Sequence, residues 1–158
     1  MENLTLKSIG QVRVDENGMR LELKKEYIPA LTNLDGFGYI NVLWWFDKCD
    51  TLHSRTKLVE SSPYKASPEQ LGTFATRSPE RPNPIGLSCV FITYVDAENG
   101  IIGVAYIDAE DGTPILDIKP YTPSLDRVEK PIVPKWCSNW PQSVEESGEF
   151  DWSSVFNF

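Results

Sequence analysis

Leu4, Leu6 and Ile9 alternate with polar neighbours, and Met19, Leu21 and Leu23 repeat the alternation more clearly. A period of two belongs to a strand with one buried face. The turn residues Asp15-Glu16-Asn17-Gly18 between the two runs therefore predict a hairpin. Residues 30–35 predict a short helix ended by Gly36, and the apolar run 39–46 predicts a buried strand. Lys57, Val59 and Ser61 alternate with Leu58 and Glu60 to give a fainter strand. Residues 91–94 and 101–107 flank Glu98-Asn99-Gly100, the strongest hairpin turn in the chain. In a last strand, Leu116 and Ile118 are expected on one face and Asp117, Lys119 and Tyr121 on the other.

About seven short strands with frequent turn signals, and no long amphipathic helix, predict an all-β fold, a small single β-barrel. No Gly-x-Gly-x-x-Gly follows a strand, which argues against a doubly wound nucleotide-binding fold. Six of the twelve prolines fall between Pro114 and Pro141, so this segment is expected to be extended coil around the barrel. The expected organisation is a barrel domain over residues 1–141 and a tail over 142–158. That tail mixes Glu145, Glu146, Glu149 and Asp151 with Phe150, Trp152, Phe156 and Phe158. Its aromatic residues would dock on the core or on a neighbouring subunit, or stay loose.

Composition narrows the function. With 158 residues and 41% hydrophobic positions the chain can bury one real core. It has no apolar run long enough to span a bilayer, and its Met1-Glu2-Asn3 start does not resemble a secretion signal, so a cytoplasmic protein is expected. Cys49, Cys89 and Cys137 are odd in number and irregular in spacing, which favours free thiols. His53 is the single histidine, and no metal is expected. The net charge of −8 opposes extended contact with nucleic-acid phosphates. Arg55, Lys57, Lys65, Arg77 and Arg81 nevertheless share one central span, where a local basic patch remains open to the chain.

Residues 72–88 carry the densest chemistry, reading Gly-Thr-Phe-Ala-Thr-Arg-Ser-Pro-Glu-Arg-Pro-Asn-Pro-Ile-Gly-Leu-Ser. Pro79, Pro82 and Pro84 fix φ and remove backbone donors, so the loop is stiff and non-helical. It presents Arg77, Arg81 and Asn83 and runs directly into a strand that can anchor it. The segment resembles the TsaA-like (TrmO-type) family of S-adenosylmethionine-dependent tRNA methyltransferases, whose hallmark has the same order of residues. A second hallmark of that family follows at Asp111-Gly112-Thr113-Pro114-Ile115-Leu116-Asp117-Ile118-Lys119-Pro120-Tyr121, and a weaker third lies in the aromatic-rich stretch 34–47. Together they cover roughly a third of the chain.

The resemblance implies a β-barrel methyltransferase that takes its methyl group from S-adenosylmethionine. The acceptor it implies is the N6 nitrogen of threonylcarbamoyl-modified adenosine beside the tRNA anticodon. It implies donor contacts from Arg77, Leu87 and Asp111-Gly112-Thr113-Pro114, with Asp47 and Lys48 standing where the family has a His-Gln pair. The family's early Pro-Arg-Gln motif is reduced here to Pro29. Larger members carry an additional C-terminal domain. Arg77 is suited to the donor carboxylate, and Arg81 and Asn83 are candidates for the acceptor. Asp117, Lys119 and Tyr121 are the candidate catalytic group, with Asp117 accepting the proton that the acceptor nitrogen sheds. A barrel this small offers little depth, and a homodimer is expected, as the resemblance also implies.

Each candidate has a plainer alternative. The two arginines could make surface ion pairs, Asp111-Gly112 could be an ordinary β-turn, and Asp117 with Lys119 could be a pair on an exposed strand. Trp44 and Trp45 suggest a stacking platform, but core packing is the better expectation for an apolar strand, with at most one indole left to face a ligand. Two further readings stay open: the same fold acting on a small-molecule acceptor, and a non-catalytic module that binds S-adenosylmethionine or RNA.

Overall fold

The computed structural model describes residues 4–158 and resolves them into two compact units. The first takes the chain up to Asp50 together with Pro84–Arg127, and the second comprises Thr51–Asn83 and Val128–Phe158.

A closed six-stranded barrel forms the first unit. Its strands are β1 (Gly10–Asp15), β2 (Gly18–Leu23), β3 (Tyr39–Trp45), β6 (Ile85–Asp96), β7 (Ile101–Val104) and β8 (Pro114–Pro120), and β4 and β5 belong to the second unit. Around the barrel the order is β1-β2-β7-β6-β3-β8, and every pairing is antiparallel. Closure leaves no exposed strand edge in the sheet. Val12, Leu21, Ile40, Val42, Ile102 and Ile115 are fully buried in its interior, joined by Trp44, Val90, Ile92 and Val104.

Several local expectations are corrected. The first hairpin forms around Asp15 and Gly18 as expected, but β1 uses Val12 and Val14, while Leu4 and Leu6 stay exposed outside any strand. Only Val12 and Val14 fall opposite Leu21 and Met19, the apolar positions of β2, so the barrel interior selects them. The short helix over 30–35 is instead two 3-10 segments, Lys25–Leu31 and Leu34–Gly36. β3 alternates between buried and half-buried positions, because its outer face is not covered as a fully buried strand would be. Trp44 is buried, with its indole N–H donating to Ser88 Oγ at 3.0 Å, whereas Trp45 points outward and donates to Asp50 Oδ2 at 3.1 Å.

In the second unit β4 (Val59–Ser61) pairs antiparallel with β5 (Gln70–Gly72), a strand the sequence pattern does not suggest. Residues 128–158, on both sides of position 141, belong to this unit. There the aromatic residues of the tail are packed: Phe150, Trp152, Phe156 and Phe158 run in ring-to-ring contact, and Trp140 just before the tail meets Trp152.

Candidate functional site

In the first unit, register decides which candidates share a surface. Ile40, Val42 and Trp44 point into the barrel, so Tyr39, Asn41 and Leu43 point out. Leu43 stands between Asp117 on β8 and Leu87 on β6, and Asn41 stands between Lys119 and Cys89. Tyr39 lies opposite Phe91 with ring centroids 5.3 Å apart, and it contacts the Tyr121 ring at 6.4 Å. Leu87, Asp117, Lys119 and Tyr121 are thus gathered on one outer face, whose apolar part includes the exposed Leu87 and Phe91. The final strand obeys the expected alternation only in part. A bulge at Leu116 lets both Ile115 and Ile118 reach the core, so Leu116 does not share a face with Ile118.

Asp117 and Lys119 are partners. Asp117 Oδ2 lies 2.7 Å from Lys119 Nζ, and Asp117 Oδ1 accepts the Ile118 N–H at 2.9 Å. The hydrogen bond from Lys119 to Asp117 holds the ammonium above its ordinary pKa. The polar row continues sideways, where Asn41 donates to Asp126 Oδ1 at 2.9 Å.

The turn of the second hallmark is docked on β1. Val14 N–H donates to Asp111 Oδ1 at 2.9 Å, and Arg13 Nε lies 3.4 Å from the same oxygen. Gly112 donates to Val12 O at 2.8 Å, and Val12 donates back to Thr113 O at 2.9 Å. Gly112 adopts φ +83°, which favours glycine, and the space where a Cβ would sit is open. Thr113 is buried. The Asp111 carboxylate is therefore spent largely on holding the turn in register. Next to it Glu110 forms an ion pair with Lys48, which brings the candidate after β3 to this turn. Asp47 is exposed beside Lys48.

In the second unit the arginine loop separates its two cations. Arg81 is turned inward: Nε donates to Ser78 O at 2.6 Å, and Nη2 donates to Thr76 O at 2.7 Å and Thr73 O at 3.2 Å. The planar fork of donors suits three carbonyls of one bend. Thr76 Oγ1 donates to Thr73 O at 2.8 Å and accepts the Ser78 N–H at 3.2 Å, closing the bend from inside. Farther along, Arg55 donates to Pro82 O at 3.1 Å. Lys57 bridges Glu60 at 2.9 Å and Glu80, and these contacts lower the pKa of Glu80 and raise that of Lys57. Arg77 and Asn83 are the exposed polar groups of the loop, whereas Arg81 is half-buried. Sequence reasoning gave Arg77 to the donor and Arg81 to the acceptor, with both presented by the loop. It also missed Tyr64, which no motif singles out and whose ring packs against Trp136, Trp140 and Phe156. Among the described residues no group of His, Cys, Asp and Glu is arranged to hold a metal ion.

The profile of the tRNA-methyltransferase O N-terminal domain matches residues 10–127, which include all eight strands and both hallmark loops. The chain belongs to this family. An S-adenosyl-L-methionine-binding protein of Archaeoglobus fulgidus is 38% identical over 76% of this chain and 81% of its own length. A probable S-adenosyl-L-methionine-binding protein of Methanocaldococcus jannaschii is 41% identical over 77% of this chain and 94% of its own. The mouse tRNA (adenine(37)-N6)-methyltransferase is 37% identical over 61% of this chain. Among solved structures, a crystal structure of TrmO superposes with a TM-score of 0.66 at 28% identity, covering 84% of this chain. TrmO from Pseudomonas aeruginosa gives 0.63 at 27%, covering 83%. The chain spans 64% and 62% of those TrmO chains and 21% of the mouse enzyme. The family match ends at Arg127, and the last segment of the second unit begins at Val128.

Proposed function

We propose that this TrmO-family chain is an S-adenosylmethionine-dependent methyltransferase acting on the N6 nitrogen of threonylcarbamoyl-modified adenosine next to the tRNA anticodon. The observation that carries the reading is the 72–88 loop. It carries the family hallmark nearly unbroken and folds so that Arg81 turns onto the loop's own carbonyls and Arg77 lies at the surface.

Within each unit the chemistry of the candidate residues suits one part of the donor. Arg77 offers a cation for its carboxylate, Asp47 a carboxylate for its amine, and Leu87 with Leu43 an apolar wall for its adenine. The turn Asp111-Gly112-Thr113-Pro114 meets the donor through its exposed Asp111-Gly112 tip, where Gly112 is unobstructed, with Lys48 beside it on Glu110. When bound, S-adenosylmethionine supplies an electrophilic methyl group. The protein's part is to align the acceptor nitrogen with it and to remove that nitrogen's proton. Asp117 is the proton acceptor in this proposal, and Lys119 and Tyr121 flank the acceptor on the same barrel face. Asn83 is the exposed acceptor contact of the loop, and Arg81 serves the acceptor by shaping that loop. No metal takes part. The working unit is a cytoplasmic homodimer, in which a second copy covers the face bearing Leu87 and Phe91.

The test combines calorimetry of donor binding with methyl transfer to tRNA containing the modified adenosine and to tRNA lacking it. Micromolar donor affinity and transfer to the modified tRNA alone are expected. Donor binding without transfer to either would reject the tRNA assignment. A second reading, the same fold binding the donor for a small-molecule acceptor or for no transfer at all, draws on the net charge of −8 and on archaeal relatives named for binding alone.

A further inference from the structure

Lys119-Pro120-Tyr121-Thr122-Pro123 carries the chain out of β8, and its two prolines leave it little freedom. Pro120 has a fixed φ, and Pro123 confines Thr122 to extended backbone, where it lies at φ −127° and ψ 124°. Tyr121 is the soft residue between them, so the direction of its ring depends on what holds the peptide groups on either side. Both are held. On one side the Tyr121 N–H donates to Tyr39 O at 3.0 Å. On the other the Thr122 N–H donates to Asp126 Oδ2 at 2.7 Å, and Asn41 Nδ2 donates to Asp126 Oδ1 at 2.9 Å. Tyr39 and Asn41 both belong to β3, so the two peptides that flank Tyr121 are tied to one strand. The phenol ring between them meets the Tyr39 ring at 6.4 Å and 61°, and Tyr39 in turn meets Phe91.

We propose that Asp126 is a positioning residue for Tyr121, its carboxylate tying the peptide after Tyr121 to Asn41 and so fixing the ring on the outer face of the barrel. Apolar burial does not hold the turn that carries Asp126, because all four residues of Pro123–Asp126 are exposed, Leu125 by 87%. A helical turn of four residues is also too short to be stable by itself. Its hydrogen bonds converge on Asp126 instead. The Asp126 N–H donates to Thr122 O at 2.9 Å while Oδ2 accepts the Thr122 N–H, and Asn41 secures Oδ1 to the barrel wall. Asn41 stands opposite Lys119 in the β3–β8 register, so the anchor sits on the same polar row as the proposed base and its partner. Asp126 acts through Tyr121 and takes no part in proton removal. This inference rests on the assignment of Tyr121 to the acceptor.

The test combines steady-state methylation of tRNA carrying the modified adenosine, calorimetry of S-adenosylmethionine and amide exchange. The full chain is compared as wild type, Asp126→Ala, Asn41→Ala, Tyr121→Ala, the double variant Asp126→Ala/Tyr121→Ala and the exchanged pair Asn41→Asp/Asp126→Asn. Asp126→Ala should lower kcat about tenfold, because a misaligned acceptor slows the chemical step, with donor affinity unchanged and faster exchange at Thr122. Asn41→Ala should lower kcat about threefold, since it removes one hydrogen bond and leaves the Thr122 contact in place. The exchanged pair rebuilds both bonds, with an amide at 126 that donates to a carboxylate at 41 and still accepts from Thr122, and it should recover most of the loss. Tyr121→Ala should be at least as slow as Asp126→Ala. The double variant should be no slower than Tyr121→Ala alone, because Asp126 acts only through that ring. An undiminished Asp126→Ala effect in the Tyr121→Ala background, a loss of donor affinity equal to the loss of kcat, or an exchanged pair as slow as Asp126→Ala would each overturn the proposal. If Tyr121→Ala is slow while Asp126→Ala turns over like wild type, the acceptor assignment of Tyr121 stands and the positioning role falls. If Tyr121→Ala turns over like wild type, both fall.

Discussion

Gly86 shows why a hallmark residue is what it is. It lies opposite Trp44 in the β3–β6 register, and a Cβ at Gly86 would stand 2.4 Å from the Trp44 ring. The glycine of Pro-Ile-Gly-Leu-Ser is therefore a packing residue that lets a buried indole lie across the neighbouring strand and reach Ser88 Oγ. Gly86→Ala should destabilise the barrel by about 1–3 kcal/mol, the usual cost of overpacking, measured by denaturant unfolding. An unchanged midpoint would mean that Trp44 can swing aside. Arg81 is a second case in which chemistry and architecture had to be told apart. Lysine at this position keeps the charge, but a single ammonium cannot satisfy the carbonyls of Thr73, Thr76 and Ser78 together. Arg81→Lys should cost about 1–2 kcal/mol of stability and speed amide exchange across 73–78. If the lysine variant is as stable and as protected as the native chain, Arg81 is not the clasp of this loop.

At the level of elements, the loop is stapled to the α1 turn (Leu52–Arg55) and to β4 by charge as well as by backbone. Lys57 holds Glu80 from one side and Glu60 from the other. The hydrogen bond from Lys57 lowers the Glu80 pKa below its ordinary 4.5, so the unfolded chain binds this proton more readily than the folded one. The stabilisation is thus complete above about pH 4.5 and declines as pH falls through the depressed folded value. Glu80→Gln should remove this part of the acid limb, seen as a flatter dependence of melting temperature on pH below 4.5. An identical acid limb in the variant would show that the pair does not contribute. The barrel's hairpins were legible in the sequence because Asn17-Gly18 and Asn99-Gly100 are local turn chemistry. What was not legible depended on partners far along the chain. Leu4 and Leu6 alternate as well as Val12 and Val14 do, and only the register with β2 and β8 chooses between them. The bulge at Leu116 is likewise set by pairing with β3, and β5 exists because β4 needs a partner. At the site, the motif residues could be read as a set. The inward turn of Arg81 is a tertiary fact with no signature of its own.

For the whole molecule, the unresolved tension is between a net charge of −8 and a polyanionic acceptor. The outer face of the barrel sharpens it, because the cation best placed there, Lys119, is neutralised by Asp117. The two proposed roles therefore make opposite demands on one pair. A tRNA phosphate approaching Lys119 competes with Asp117, and a carboxylate released from Lys119 is the better proton acceptor, so acceptor binding itself would prepare the base. Asp117→Asn removes the proton acceptor but also unmasks Lys119. Turnover should drop roughly a hundredfold with donor affinity nearly intact, while the KM for tRNA falls rather than rises. Lys119→Ala should do the reverse to binding, raising the KM and reducing the salt dependence by about one phosphate contact. Steady-state methylation of modified tRNA across a salt series reads both variants in one experiment. If Asp117→Asn and Lys119→Ala leave KM, turnover and salt slope alike unchanged, the pair is an ordinary ion pair on an exposed strand and the acceptor binds elsewhere. If turnover falls in Asp117→Asn but neither variant alters the salt slope, the carboxylate is catalytic and the acceptor is not held here by its phosphates, which is the behaviour expected of a small uncharged substrate.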